Sequence, residues 1–380
     1  MKNKTFFLFV IFLFAFQSFA SAEVKTYVKE YTYQASEDDS RNSSRVTAMR
    51  EVKRLLLEEL GTYLESVTEV KNFQLTKDQI TALTAGIVKT EIVNEKWDGH
   101  TYWIKTKIVA DEGDVIKSID NLRKDRDKSR DLVDIQKRAD VILEENKKLR
   151  AELRIAKGED KEKQKRIYEK SIKELSSFEW FESGIRNRDK GDYNAALHDF
   201  SEFVEMNPSA PVAYLYRGNA YYSLTKYNEA IVDFSKAIDL HPKFLFAYIF
   251  RGNAYANLNK YNEAIIDYNK SIGLIPKDWP KDLLIMNILC RGIAYLRIGK
   301  YTESIIDFDK AIKLNPKTKS ADWIYYSRAC SYSRIGNKTK SIQDLSKAIK
   351  INPAFRDSAK TEPFFDNIRN SPEFLRLMSK

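Results

Sequence analysis

The stretch YNEAIVDFSKAIDLHP, residues 227–242, decides the fold because it returns twice in almost the same letters. YNEAIIDYNKSIGLIP stands at 261–276 and YTESIIDFDKAIKLNP at 301–316. In the first copy Ala230, Phe234 and Ala237 are spaced four and three apart, which lines one face of a helix. The closing proline cannot continue that helix. The frame extends on both sides. Prolines recur at Pro208, Pro242 and Pro276 with a spacing of 34, then at Pro316 and Pro353 with spacings of 40 and 37.

Aligned on these prolines, other positions fall into register. Trp180, Tyr214, Tyr248, Ile288 and Tyr325 share one position, and Gly184, Gly218, Gly252, Gly292 and Ala329 follow four residues later. Then come Asn187, Tyr221, Tyr255, Tyr295 and Tyr332, and further on Phe200, Phe234, Tyr268, Phe308 and Leu345. Small residues let two antiparallel helices approach closely, and aromatics fill the gap to the next pair. Thr225 and Asn259 replace the usual inter-helix glycine, and the insertion Lys277 to Asp282 extends the loop or helix before the fourth repeat.

This pattern resembles the tetratricopeptide repeat family over residues 177–353, in five copies. The resemblance implies a mainly α fold, an α-solenoid of five helix pairs that binds a protein partner in its groove. Residues 354–380 are expected to cap the last apolar face with short helices carrying Phe355, Phe365, Ile368 and Phe374. Thr361-Glu362-Pro363 and Ser371-Pro372-Glu373 read as helix starts with a capping hydroxyl.

Two sets of repeat positions are candidate sites. Arg217, Arg251, Arg291 and Arg328 occupy one position, and Asp199, Asp233, Asp267, Asp307 and Asp344 another. A planar guanidinium suits a partly buried carboxylate, so these predict a structural ladder, the rival being an arginine row that grips an acidic ligand. The first repeat has Ser183 in place of arginine. The family's register places Phe181, Leu215, Ile249, Leu289 and Tyr326, with Asn219, Asn253 and Tyr222, on the groove side of the first helices. Phe181 and Leu215 replace the cations of a carboxylate clamp, which favours an extended or helical peptide. For some of these residues, packing between helices is the competing assignment.

Residues 1–22 have the layout of a signal peptide: Lys2 and Lys4, an apolar run from Phe6 to Phe16, and Ala20-Ser21-Ala22 before the expected cleavage. The run is too short to span a bilayer. The expected setting is exported, most simply periplasmic, with no transmembrane segment after cleavage. Losing Lys2 and Lys4 lowers the net charge from +10 to +8.

Residues 23–113 read as a small α/β module: a strand over Lys25 to Gln34, a helix over Arg45 to Leu64, a strand over Val67 to Leu75, and a helix opened by Thr76. A hairpin follows around Asp98-Gly99-His100. Ala48, Leu60-Gly61, the segment Ser66 to Asn72, Asp78-Gln79-Ile80, Gly86 and Asp98-Gly99 ahead of Tyr102 resemble the N-terminal domain of the flagellar assembly protein T family and related exported lipoprotein-like modules. That resemblance implies an envelope module of binding or assembly type.

Residues 114–176 form a charged helix or coiled coil. Leu132, Ile135, Ala139, Ile142, Asn146, Leu149, Leu153 and Ala156 are spaced 3, 4, 3, 4, 3, 4, 3, a heptad seam that Gly158 and the charge run Glu159 to Arg166 end. Asn146 at an a position favours a parallel homodimer through residues 132–156. The alternatives are a solvent-exposed helix or one folded back on its own chain.

No catalytic constellation emerges, and no cofactor, metal or nucleic acid is implied. His100, His198 and His241 lie in a hairpin, a repeat helix and a repeat junction, and acidic and basic residues are interspersed rather than massed on one face. Cys290 and Cys330 are expected to be small buried residues, a disulfide being the less favoured assignment.

Overall fold

In the computed structural model, residues 24–124, 126–316, 318 and 320–379 are described, and they form two compact units, the first ending at Leu175 and the second beginning at Ser176. The expected signal peptide lies outside the described residues.

The first unit opens with strand β1 (Val24–Gln34), helix α1 (Arg41–Ser66), the short α2 (Thr68–Lys71) and α3 (Lys77–Ile87). Strands β2 (Thr90–Trp97) and β3 (Thr101–Asp111) form a hairpin, and β1 pairs antiparallel with β3 to give the order β1-β3-β2. The hairpin closes on Asp98, whose Oδ1 accepts from the His100 and Thr101 amides at 2.8 and 2.6 Å, with Gly99 at φ 97°. Alternation on β3 buries Tyr102, Ile104, Thr106, Ile108 and Ala110 on one face. Helix α1 brings Ala48, Val52, Leu56 and Leu60 into the same core, each large aliphatic contributing about 1.5–3 kcal/mol by leaving water.

Local chemistry explains two departures from expectation. Helix α1 starts at Arg41 rather than Arg45 because Ser40 and Ser43 cap each other reciprocally, at 2.9 and 3.0 Å. The strand expected over Val67 to Leu75 is instead α2 and a turn. Val67, Val70 and Phe73 are three apart, a helical rather than alternating spacing, and Gln74 turns the chain at φ 56°. Thr76 does cap α3, with Gln79 completing the box.

The unit is completed by α4 (Glu112–Lys124), α5 (Arg126–Leu153) and the part of α6 (Gly158–Asp189) up to Leu175. The charge run after Gly158 therefore begins a helix. The heptad seam does not await a second copy: Leu132, Ile135, Ala139, Ile142, Asn146 and Leu153 are buried within the chain. Leu132 lies so close to Gly86 of α3 that a Cβ there would come within 2.9 Å of it. Leu149 and Leu153 pack with Val46, Tyr168 and Ile172. The pairs Arg50–Asp140 at 3.1 Å, Lys147–Glu51 at 2.8 Å and Arg150–Asp39 at 2.9 Å tie three charges of α5 to the first part of the same chain. A heptad stripe demands an apolar partner, and here the same chain supplies it, so the expectation of a homodimer through residues 132–156 is corrected.

The second unit is a run of helix pairs: α6 from Ser176 with α7 (Tyr193–Met206), α8 (Pro211–Ser223) with α9 (Tyr227–Leu240), and α10 (Leu245–Asn257) with α11 (Tyr261–Leu274). Then α12 (Lys281–Arg297) pairs with α13 (Tyr301–Leu314), and α14 (Ala321–Arg334) with α15 (Lys338–Ile351). A Cβ added to Gly184, Gly218, Gly252 or Gly292 would meet the ring of Phe200, Phe234, Tyr268 or Phe308 at 2.5–2.9 Å, so the helices of each pair touch where glycine stands. The insertion both lengthens the loop and starts α12 early, and its Trp279 stacks on Phe246 with ring centroids 6.1 Å apart.

Helices α16 (Phe355–Thr361) and α17 (Pro372–Met378), with a 3₁₀ turn at Pro363–Phe365, cover the last pair; Phe355, Phe365, Ile368 and Phe374 are buried against Tyr326, Ala329 and Leu345. Ser371 caps α17. Thr361 instead ends α16, and the Glu362 carboxylate caps the turn, because it stands next to the proline.

All five pairs turn through the same two bonds. In the second, the Lys226 amide donates to the Tyr221 carbonyl and the Thr225 amide to the Tyr222 carbonyl, both at 2.9 Å. This Schellman geometry needs a left-handed residue. Gly191, Gly299 and Gly336 supply it at φ 78–80°, whereas Thr225 and Asn259 adopt φ 59° and 58°. A β-branched residue is strained there. Thr225→Gly should stabilise the protein by about 0.5–1 kcal/mol, after the glycine's own entropy cost is deducted; a fall in the urea midpoint would contradict this.

Candidate protein-interaction site

The second helices each bury an aspartate, and a carboxylate taken from water needs a cation or several donors. Arg217 grips Asp233 through Nε and Nη2, both at 2.7 Å, and Arg251 grips Asp267 with both bonds at 2.8 Å. Arg291 holds Asp307 at 2.8 and 2.5 Å, and Arg328 holds Asp344 at 2.7 and 2.9 Å. These are fork-to-carboxylate pairs sixteen residues apart, one per repeat. The carboxylates of Asp233 and Asp307 hold the Arg217 and Arg291 guanidiniums above their ordinary range. In the first repeat Asn187 Nδ2 donates to Asp199 at 2.7 Å, so the absence of arginine does not leave that carboxylate alone.

A third nitrogen extends the link. Nη1 of Arg251 donates to Ser235 at 2.9 Å, Nη1 of Arg291 to Asn269 at 2.6 Å, and Nη1 of Arg328 to Asp309. Each acceptor stands two residues after the preceding repeat's aspartate. Sequence reading missed these acceptors, although the recurrence of Ser, Asn and Asp at that position was a signal for them.

The apolar groove candidates do not face an opening. Phe181, Leu215, Ile249, Leu289 and Tyr326 are all buried. Phe181 meets the rings of Phe203 and Tyr216 at 5.1 and 5.0 Å, and Tyr326 stacks on Phe355 at 4.4 Å. They are interhelical packing, because the neighbouring repeat or the cap fills the space a ligand would take. The polar candidates stand nearer the surface. Asn219 is half-buried, Asn253 Oδ1 accepts from the Tyr268 hydroxyl at 2.8 Å, and the Tyr222 hydroxyl accepts from Asn257 Nδ2 at 2.9 Å. Burial raises the Tyr222 phenol above its ordinary range.

What the first helices do expose follows from an eleven-residue spacing. Eleven residues make three turns, so such residues share a face about 16 Å apart. Met286 with Arg297, and Trp323 with Arg334, are such pairs, and Met286 and Trp323 are 46% and 53% exposed. Both arginines are exposed and lie over rings, Arg297 over Phe364 at 5.4 Å and Arg334 over Tyr301 at 5.8 Å. The face thus carries an apolar group at one end and a cation at the other on successive repeats.

Models of the tetratricopeptide repeat match residues 211–244, 247–278, 288–318 and 324–355. Residues 211–355 belong to the tetratricopeptide repeat family. Repeats of this family are generally non-catalytic interaction modules, which supports a protein-interaction scaffold. The pair α6–α7 lies outside those matches but shares the glycine–ring approach and the turn. About half of the chain is similar to solved structures. A MamA protein is 21% identical with a TM-score of 0.42, over 49% of this chain and 96% of that one. YrrB, described as a tetratricopeptide protein with an unusual peptide-binding site, is 21% identical with a TM-score of 0.43, over 51% and 97%. A tetratricopeptide repeat protein from Parabacteroides merdae is 23% identical with a TM-score of 0.44, over 54% and 77%. No curated protein sequence matches this chain.

Outside the ladder, the chemistry is sparse. Among the described residues no three His, Cys, Asp or Glu side chains gather as metal ligands, and no helix is long and apolar enough to cross a membrane. His198 lies edge-on to Trp180 at 5.7 Å and His241 stacks on Phe244 at 5.6 Å. Cys290 and Cys330 are free thiols, and burial pushes Cys290 up to about 11.

The tetratricopeptide ladder makes a stability prediction. Arg251→Ala leaves Asp267 buried without its cation and should cost about 3–5 kcal/mol, read as a lowered denaturation midpoint. Arg251→Met with Asp267→Leu removes both charges and should cost much less; equal losses would show that the fork is dispensable.

Proposed function

We propose that this protein is an exported, non-catalytic scaffold or adaptor of the bacterial cell envelope that holds a partner protein on the exposed face of its first repeat helices. The observation that carries this is the pairing of Met286 with Arg297 and Trp323 with Arg334. Exposed Trp, Met and Arg are the side chains that anchor protein interfaces. The partner segment that fits is acidic at one end and apolar at the other. Export rests on the basic, apolar and small-residue order of residues 1–22.

A second reading, that the chain is an assembly subunit docking through its first unit, is favoured by the outer face of the sheet. Val24, Val28 and Val109 lie there exposed on β1 and β3. The resemblance to exported assembly modules points the same way.

Crosslinking capture from cells separates the two. Arg297→Glu with Arg334→Glu should reduce partner recovery about tenfold or more, as truncating interface anchors does, with the thermal midpoint unchanged. Val28→Lys with Val109→Lys should leave recovery intact. The reverse pattern would favour docking through the sheet. N-terminal sequencing of the exported protein should begin at Glu23; retention of Met1 would count against export.

A further inference from the structure

Asn146 is only 3% exposed, and neither its Nδ2 nor its Oδ1 has a hydrogen-bond partner among the described residues. A buried amide left unmet at both ends is strongly unfavourable. It lines a cleft of about 350 Å³ walled by β1, α1, α5 and α6 within the first unit, inside the size range of small-ligand pockets, ~300–1,000 Å³.

The charges around this cleft already satisfy one another. Arg150 pairs with Asp39 at 2.9 Å and lies over the Tyr33 ring at 4.6 Å, while Lys147 pairs with Glu51 at 2.8 Å. Tyr168 donates to Asp39 at 2.6 Å. Of the residues that line the cleft, Asn146 is the one whose buried donor and acceptor are both unmet, and Tyr31 and Tyr33 line the same cleft. In an extended chain the N–H and C=O of one residue point to the same side, as they do in a hydrogen-bonded strand pair. A side-chain amide answers both. The neighbouring strand β1 is an edge of its sheet, which leaves main-chain groups without a strand partner on that side.

We propose that this cleft binds a short, uncharged, extended peptide segment, one residue of which sets its N–H and C=O against the Asn146 amide and its side chain against Tyr31 and Tyr33. The site is independent of the face on the repeats, and failure of either leaves the other standing.

The test uses the full chain labelled with ¹⁵N at asparagine only. Titration with acetyl-trialanine-amide should shift the Asn146 side-chain amide signals saturably. The matching depsipeptide, with an ester in place of the central N–H, should bind about tenfold more weakly, the fold-change of one lost hydrogen bond. Asn146→Leu should abolish saturation transfer to the capped peptide while the thermal midpoint holds or rises. Tyr31→Ala, at a half-buried position, should weaken it independently. No saturable shift at the solubility limit, equal binding of the ester, or unchanged binding in either variant would overturn the proposal. Tighter binding of free trialanine than of the capped form would also overturn it, since charged termini would then be the recognised groups.

Discussion

In four consecutive repeats a carboxylate is removed from water and handed to a guanidinium sixteen residues earlier. Everything else in the helical unit is arranged around that exchange. The arginine sits on the first helix and the aspartate on the second, so the fork fixes how the two helices lie against each other. The glycine–ring contact one residue beyond the arginine brings the backbones close enough for the fork to reach. Ala220, Ala254 and Ala294 pack without bulk nearby. Removing the pair as a unit costs little; removing half of it strands a charge.

The same residue type does opposite work a few positions away. Arg291 and Arg297 share helix α12, yet one is held by Asp307 and the other lies on Phe364 in the open. Burial of the carboxylate partner, and not the arginine itself, sets the difference. A cation with a buried anion beside it is structure; Arg297 has an exposed side chain over the half-buried ring of Phe364. The exposed cations Arg297 and Arg334 also share one repeat position, after the ladder arginines Arg291 and Arg328, so periodicity alone does not separate the two kinds of arginine.

The repeats were readable because their requirements are local: a small residue, an aromatic and a proline at set distances describe one helix pair completely. The arginine and aspartate rows were equally visible, being periodic. Depth was not. Leu215 and Asn219 lie on one side of α8, but register tells which side a residue takes and not how far the neighbouring pair covers it. The stripe on α5 shows the same gap. Its spacing announces that a face is buried, and a second copy or the chain's own α3 satisfies that spacing equally well. Asn146 was read as a dimer-specifying residue for this reason. Val67 to Leu75 was misread because a short apolar run fits strand and helix alike until its neighbours are known.

The third nitrogen of the ladder arginines reaches past its own repeat. Solenoid stability divides into what each repeat holds alone and what each interface adds. A bond shared between repeats moves weight from the first term to the second. From Ser235 to Arg328, then, neighbouring repeats share a polar bond across each interface. Between the first and second pairs the contact is aromatic, Tyr216 meeting the rings of Phe181 and Phe200 at 5.0 and 5.4 Å. A change at one of the three acceptors, Ser235, Asn269 or Asp309, therefore acts on the interface between repeats and leaves each repeat's own fork intact.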